Sequence, residues 1–302
     1  MPQTDFASLL TARGYQVIAE QQPTGRFSTL KIMKAGQLYF AKAVNDVEPE
    51  QIQTEIAAFA QINNYAAKNQ NFHAVSPTII ESGEDWYIST FFDAPMLFDG
   101  IPSKDGIGAP VISRLAEILL QLDQLNSSEG INAQPLVSLE ELFKKHDSWL
   151  EQAIHRGDIS TADVQAGKDL VKRSWAQVEP SFQHGDFVPW HMFELGNGQT
   201  GIIDAEHASS SRPRFYDLAY LYTRLYTRSE LNHEPRVILN QVVDGLKIQP
   251  DVLHPKLLPV MILRTFGMFF DAIADEKPGD SYMIRAQELL RMCLRDDISE
   301  FL

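Results

Sequence analysis

The chain has 302 residues, 44% of them hydrophobic and 22% charged, with a formal net charge of −14. This balance excludes a disordered chain, and the length suffices for one large domain or two unequal lobes with cores of their own. So acidic a surface argues against nucleic acid as a partner, and the single cysteine, Cys293, excludes an internal disulfide and a clustered-thiolate metal site and suits a reducing cytoplasm.

The opening MPQTDFASLL has no basic start and no apolar core, so no secretory leader is expected. A short helix is predicted over Asp5–Ala12, followed by strands over Tyr15–Glu20, Thr29–Lys34 and Leu38–Val44, with turns at Gly25 and Ala35-Gly36. A helix then opens near Glu48-Pro49, with the proline suited to a first turn. Two further strands are expected at Pro77–Ser82 and Trp86–Phe92. From there the pattern turns helical. Ile112, Leu115, Leu119 and Leu122 recur at helical spacing, and further helices are predicted near Leu139–Ile154, Thr161–Val178, Tyr216–Thr227, Arg236–Gly245, Leu257–Ala274 and Ser281–Leu294. Leu257–Ile273 is the most apolar late stretch, but Arg264 and Asp271 break it, so it reads as a core helix and no membrane partner is expected. A strand-rich front and a helical rear give an α+β fold of two lobes, residues 1–93 and 94–302, with a hinge near Phe92–Pro95.

Within the helical rear, Phe182–Ala208 stands out as polar and strand-like. It contains His184-Gly185-Asp186, then Trp190-His191, then a turn at Gly196-Asn197-Gly198 and the run Gly201-Ile202-Ile203-Asp204-Ala205-Glu206. Asp204 closes an apolar run, and a buried carboxylate needs a partner. A hairpin joining the two runs would bring His191 close to Asp204, with Asp186 on the loop before them. Phosphoryl transfer needs such a set: one carboxylate to orient a hydroxyl, which Asp186 can supply, and ligands for magnesium, which His191 and Asp204 can supply.

The run from His184-Gly185-Asp186, through Ile202-Ile203-Asp204, to Tyr216-Asp217-Leu218-Ala219 resembles the aminoglycoside phosphotransferase and choline kinase-like family. The resemblance implies a protein-kinase-like two-lobed fold, ATP or GTP as donor, Mg2+, and a small-molecule hydroxyl acceptor. Asp186 is then the catalytic base, Asp204 the main magnesium ligand, and His184 and Asp217 structural residues of the catalytic loop. Most members have asparagine where this chain has His191; macrolide phosphotransferases, a branch of the family, resemble it in having histidine. An imidazole can ligate a metal, although magnesium prefers oxygen, so the departure bears on metal affinity.

A kinase front lobe needs a strand lysine paired to a glutamate on the following helix. Lys42 shares its strand face with Phe40 and Val44, which points it inward, although read alone it also fits an edge strand. Glu55 falls on the apolar stripe of Ile52, Ile56, Phe59 and Ile62 and is the expected partner, with Glu48 the alternative. Gln22–Thr29 has a single glycine; Ser28 and Thr29 are its candidate phosphate donors. Thr90 and Phe92 resemble the adenine hinge by position. For the acceptor, Trp190, Tyr216, Tyr220, Tyr222, Glu206 and the acidic tail from Asp296 are candidates, with an aminoglycoside-, macrolide- or choline-like molecule in view and a cationic one preferred. The competing reading is a nucleotide-binding pseudokinase with a regulatory role, which His191 and the glycine-poor loop would suit; a protein that keeps only the fold is the third.

Overall fold

The structure is a computed structural model that describes residues 3–21, 25–45, 48–100, 105–125, 135–228, 233–274, 280–297, 299 and 301. In chain order the front comprises α1 (Gln3–Ala12), β1 (Gln16–Gln21), β2 (Phe27–Lys34), β3 (Gln37–Val44), α2 (Glu50–Lys68), β4 (Ala74–Val75), β5 (Ile79–Ser82) and β6 (Trp86–Thr90). There follow α3 (Ala109–Gln124), α4 (Leu139–His155), α5 (Thr161–Ser174), β7 (Pro180–Gln183), β8 (Met192–Glu194), β9 (Thr200–Ile202) and β10 (Ser209–Pro213). The chain closes with α6 (Tyr216–Arg228), α7 (His233–Leu246), α8 (Pro250–Ala274) and α9 (Asp280–Leu294). These elements group into two compact units, Met1–Leu97 with Trp190–Ser209, and Phe98–Pro189 with Ser210–Leu302.

The first unit is built on an antiparallel sheet of order β1-β2-β3-β6-β5. Strand alternation gives the sheet two different faces. Leu30, Ile32, Ala41, Ala43, Trp86 and Ile88 turn to one side and bury Phe6 and Leu10 of α1. Lys42 and Tyr87, directly opposed in register, turn to the other side, where Phe59 of α2 packs edge-on against Tyr87. The β2–β3 turn needs two residues with positive φ, and Ala35 (51°) and Gly36 (80°) supply them, the geometry that matches strand twist in a two-residue hairpin. The predicted β8–β9 hairpin forms, with Met192 opposite Ile202. The sequence reading missed β4, which pairs in parallel with β9; two residues are too few to show a period. Phe92 packs over Gly201, where a Cβ would come within 2.6 Å of its ring, so glycine is what lets the hairpin approach.

Among the described residues, the second unit is helical apart from the β7–β10 pair. Helices α4, α5, α6 and α9 all pack on α8. Ser138 and Ser160 cap α4 and α5 by accepting the backbone N–H groups of Glu141 (3.2 Å) and Asp163 (3.0 Å). Helix α8 begins at Pro250, seven residues before the predicted Leu257, and runs through Pro255 and Pro259. Prolines ordinarily stop a helix; burial of the flanking Leu253, Leu257, Leu258, Val260 and Met261 outweighs the lost hydrogen bonds. Its Pro250–Phe270 stretch is long and apolar enough to cross a membrane, yet 72% of its apolar window is buried inside the protein.

Candidate active site

In the first unit, one buried ammonium gathers three carboxylates. Lys42 Nζ donates to Glu55 Oε2, Asp204 Oδ1 and Glu206 Oε2, each at 2.9 Å, which uses all three of its protons. The lysine and Glu55 side chains are 5% and 1% exposed, so neither charge is supported by water. Burial by itself would lower the lysine pKa; the charges of Glu55 and Asp204, with Tyr87 and Glu206 behind them, carry it well above its ordinary value. The Glu55 carboxyl is also pushed up, by burial first, because Asp204 and Glu206 repel it while Lys42 offsets only part of the cost. Excess negative charge in the cluster raises the lysine and adds to what burial already does to Glu55. Tyr87, fully buried, hydrogen-bonds Glu55 and steadies it. Glu48 is exposed, so Glu55 is the partner. The Phe27 ring lies under the ammonium at 4.3 Å.

Asp204 directly follows the β9–Ile203 run with its backbone in the left-handed region (φ 64°), a conformation costly for most residues but more accessible to aspartate. That turn sends Oδ1 to Lys42 and leaves Oδ2 3.5 Å from His191 Nε2. The hairpin fixes the other side, through the Ile203 N–H donating to the His191 carbonyl at 3.0 Å. Adjacent ligands of an octahedral magnesium ion lie about 3 Å apart. Asp204 Oδ2 and His191 Nε2 therefore fit two neighbouring positions of one ion with little movement. The carboxylates of Glu55, Asp204 and Glu206 also stand close together, but the Lys42 ammonium already sits among them, so that trio suits no metal.

In the second unit, the loop after β7 carries His184-Gly185-Asp186. Asp217, buried at the start of α6, accepts the backbone N–H groups of His184 (2.6 Å) and Gly185 (2.8 Å). Its own N–H donates to Gln183 Oε1 at 2.8 Å, so loop and helix are tied in both directions. Burial raises the Asp217 pKa, against the pull of His184 and of the two N–H groups. Gly185 turns at φ 90°, a value that favours glycine. Asp186 is half-buried and hydrogen-bonds the Tyr220 hydroxyl, whose pKa is pushed up by burial and then by the Asp186 charge.

The remaining predicted residues divide by strand parity and packing. Thr29 stands opposite Lys42 in register and shares its face. Ser28 falls on the other face, fully buried, donating to Asn45 Oδ1 at 2.9 Å, so its hydroxyl is turned away from Lys42. Gln22, Pro23 and Thr24 of the predicted phosphate loop lie outside the described residues. Thr90 ends β6 and holds Thr78, and Phe92 packs on Phe193. Trp190 sits in a short 3-10 turn beside His191, and Tyr222 is core, against Tyr226 and Phe301. Glu206 does not point outward as an acceptor ligand would. Its second oxygen takes Arg26 Nη2 at 3.2 Å and lies 3.5 Å from His207 Nε2. The sequence reading missed Tyr87 and Arg26. The cross-strand register of Lys42 would have found the first; nothing local marks the second.

A family profile described as "Phosphotransferase enzyme family" matches residues 39–242, about two thirds of the chain. No curated protein is a match. The choline kinase LicA from Streptococcus pneumoniae is similar at 14% identity and a TM-score of 0.59, over 98% of this chain and 99% of that one. A thermostable mutant of aminoglycoside phosphotransferase APH(4)-Ia, in a ternary complex with ADP and hygromycin B, is similar at 13% identity and 0.60, over 96% and 97%. The macrolide 2'-phosphotransferase MphH from Brachybacterium faecium is similar at 12% identity and 0.52, over 94% and 97%. At these identities the likeness shows the fold, a protein-kinase-like α+β fold with a sheet-bearing front and a helical remainder.

Proposed function

We propose, from the premise that the chain belongs to the phosphotransferase enzyme family, that this small-molecule kinase moves the γ-phosphate of ATP to an acceptor hydroxyl. The observation that carries the proposal is the buried Lys42–Glu55 pair, a strand lysine held by a glutamate of the following helix, which is the pairing a kinase front lobe requires. The ADP-bound aminoglycoside phosphotransferase supports adenine nucleotide as the donor.

Lys42, oriented by Glu55 and Tyr87, holds the α- and β-phosphates. Thr29 adds a hydroxyl on the same face, and backbone groups of Thr90 to Phe92 hold the adenine. Asp204 and His191 would hold magnesium, which when bound offsets charge on the phosphate oxygens. Asp186 orients the acceptor hydroxyl and takes its proton. The acceptor oxygen forms a bond to the γ-phosphorus as the bond from that phosphorus to the β–γ bridging oxygen breaks, and ADP leaves. Asp217 keeps the Asp186 loop in register. Support for Asp186, His191 and Asp204 in these roles comes from their order and spacing in the chain.

ADP release from ATP, measured with and without magnesium and in Asp204→Ala, tests the proposal. Release should require the metal and fall about 100-fold or more in the variant. Equal release in all conditions would refute it.

A further inference from the structure

Arg26 stands between Gly25, which turns at φ 75°, and the start of β2. Its carbonyl accepts the N–H of Asn45, the residue after β3, at 2.8 Å, so its backbone is tied to the end of the lysine strand. From there the guanidinium lies 5.3 Å from the centre of the Phe27 ring, the same ring that lies under Lys42. Its Nη2 donates to Gln51 Oε1 of α2 at 2.6 Å and lies 3.2 Å from Glu206 Oε1. All four residues belong to the first unit.

Glu206 is therefore held by two cations at once, Oε2 by Lys42 at 2.9 Å and Oε1 by Arg26. The two differ in access. Lys42 is buried, whereas the Arg26 side chain is 45% exposed. Among the described residues, neither Nε nor Nη1 of Arg26 has a hydrogen-bond partner, so its fork keeps donors to spare. Lys42 has none to spare: all three protons are taken by carboxylates. A phosphate can reach that ammonium only by displacing one of them. Glu55 lies deepest and is also held by Tyr87. Displacing Glu206 instead frees a proton of Lys42 and the Nη2 of Arg26 together, while the His207 ring, 3.5 Å from Oε1, remains beside the displaced carboxylate.

We propose that Arg26 is a phosphate ligand of the nucleotide, and that Glu206 stands in for that phosphate, holding Arg26 and Lys42 on one anion until the nucleotide replaces it. The inference rests on the kinase reading above and adds to it a donor-binding residue and a residue that positions it. A guanidinium suits the task, because its planar fork pairs with two oxygens of one phosphate. It also accounts for the single glycine of Gln22–Thr29. Glycine-rich loops hold phosphate by close approach of backbone N–H groups, and a side chain that carries its own donors does not need that approach.

The test is calorimetric titration of wild type and variants with ATP, ADP and adenosine, magnesium being present throughout. Arg26→Gln should raise the Kd for ATP and ADP about 10- to 100-fold and leave that for adenosine unchanged, which also shows that the variant is folded. Arg26→Lys should recover part of the loss. Glu206→Gln keeps the size of the side chain and removes the competing charge, so it should bind ATP about 3- to 10-fold more tightly than wild type, a gain that a merely structural role or a folding defect would not produce. Wild-type ATP affinity in Arg26→Gln, an equal loss of ATP and adenosine, or Glu206→Gln binding ATP no more tightly than wild type overturns the inference. The kinase reading survives any of these as long as the wild-type protein binds magnesium-ATP; if it does not, both fall.

Discussion

Replacing Lys42 by methionine keeps the length of the side chain and removes the one ammonium that Glu55, Asp204 and Glu206 share. Removing one partner of a buried ion pair costs about 3–5 kcal/mol. The cost should depend on pH, because Glu55 has an escape: it can take up a proton. Its pKa already stands above the ordinary carboxylate value through burial, and loss of the lysine removes the main influence holding it down. A carboxyl with a raised folded pKa binds more protons folded than unfolded, so stability falls as pH rises from the ordinary value to the folded one. The slope is up to about 1.4 kcal/mol per pH unit. Urea unfolding of wild type and Lys42→Met should show a deficit of about 3–5 kcal/mol near pH 8 and one smaller by about 2 kcal/mol or more near pH 5. The same deficit at both pH values, or a variant as stable as wild type near pH 8, would refute the picture of an overcrowded acidic cluster held by one lysine.

Asp217→Ala strands the two buried backbone N–H groups of His184 and Gly185, so it should cost about 2–4 kcal/mol in urea unfolding and, on the proposed function, lower kcat while leaving the KM for ATP near wild type. Asp217→Asn, which keeps an acceptor oxygen, should recover part of both losses. Burial holds the His146 pKa down to about 4 against an ordinary 6.5, so the folded protein binds fewer protons than the unfolded chain between those values and loses stability as pH falls through that window. His146→Leu should flatten this slope, worth about 2–3 kcal/mol, in denaturation curves taken near pH 7 and near pH 4; an unchanged slope would contradict the assignment.

How much of this was legible in the sequence varies with how local the signal is. Lys42 and Glu55 could be matched because strand parity and the helix stripe each turn one charged residue inward, and two inward charges of opposite sign want each other. The β8–β9 hairpin could be read because its turn and apolar runs are contiguous, and so the approach of His191 to Asp204 was anticipated. The direction of Glu206 could not, because it depends on the positive φ of Asp204, which no residue pattern announces. Ser28 and Thr29 looked equivalent until the register with Lys42 put only Thr29 on its face. The arginines about Tyr216 and Tyr220 come from β10, α6 and α8, too far apart in the chain for spacing to relate them. The brace from Asp217 to the His184-Gly185 backbone was anticipated from family resemblance alone.

The central claim is that Asp186 serves the transfer step and not the nucleotide. Asp186→Asn keeps the size and hydrogen bonding of the side chain but not its charge. Calorimetric titration with magnesium-ATP, paired with ADP release on the same samples, should give a wild-type Kd and a turnover lower by about 10²- to 10⁴-fold. Wild-type turnover in that variant, with ATP bound equally well, would contradict the account.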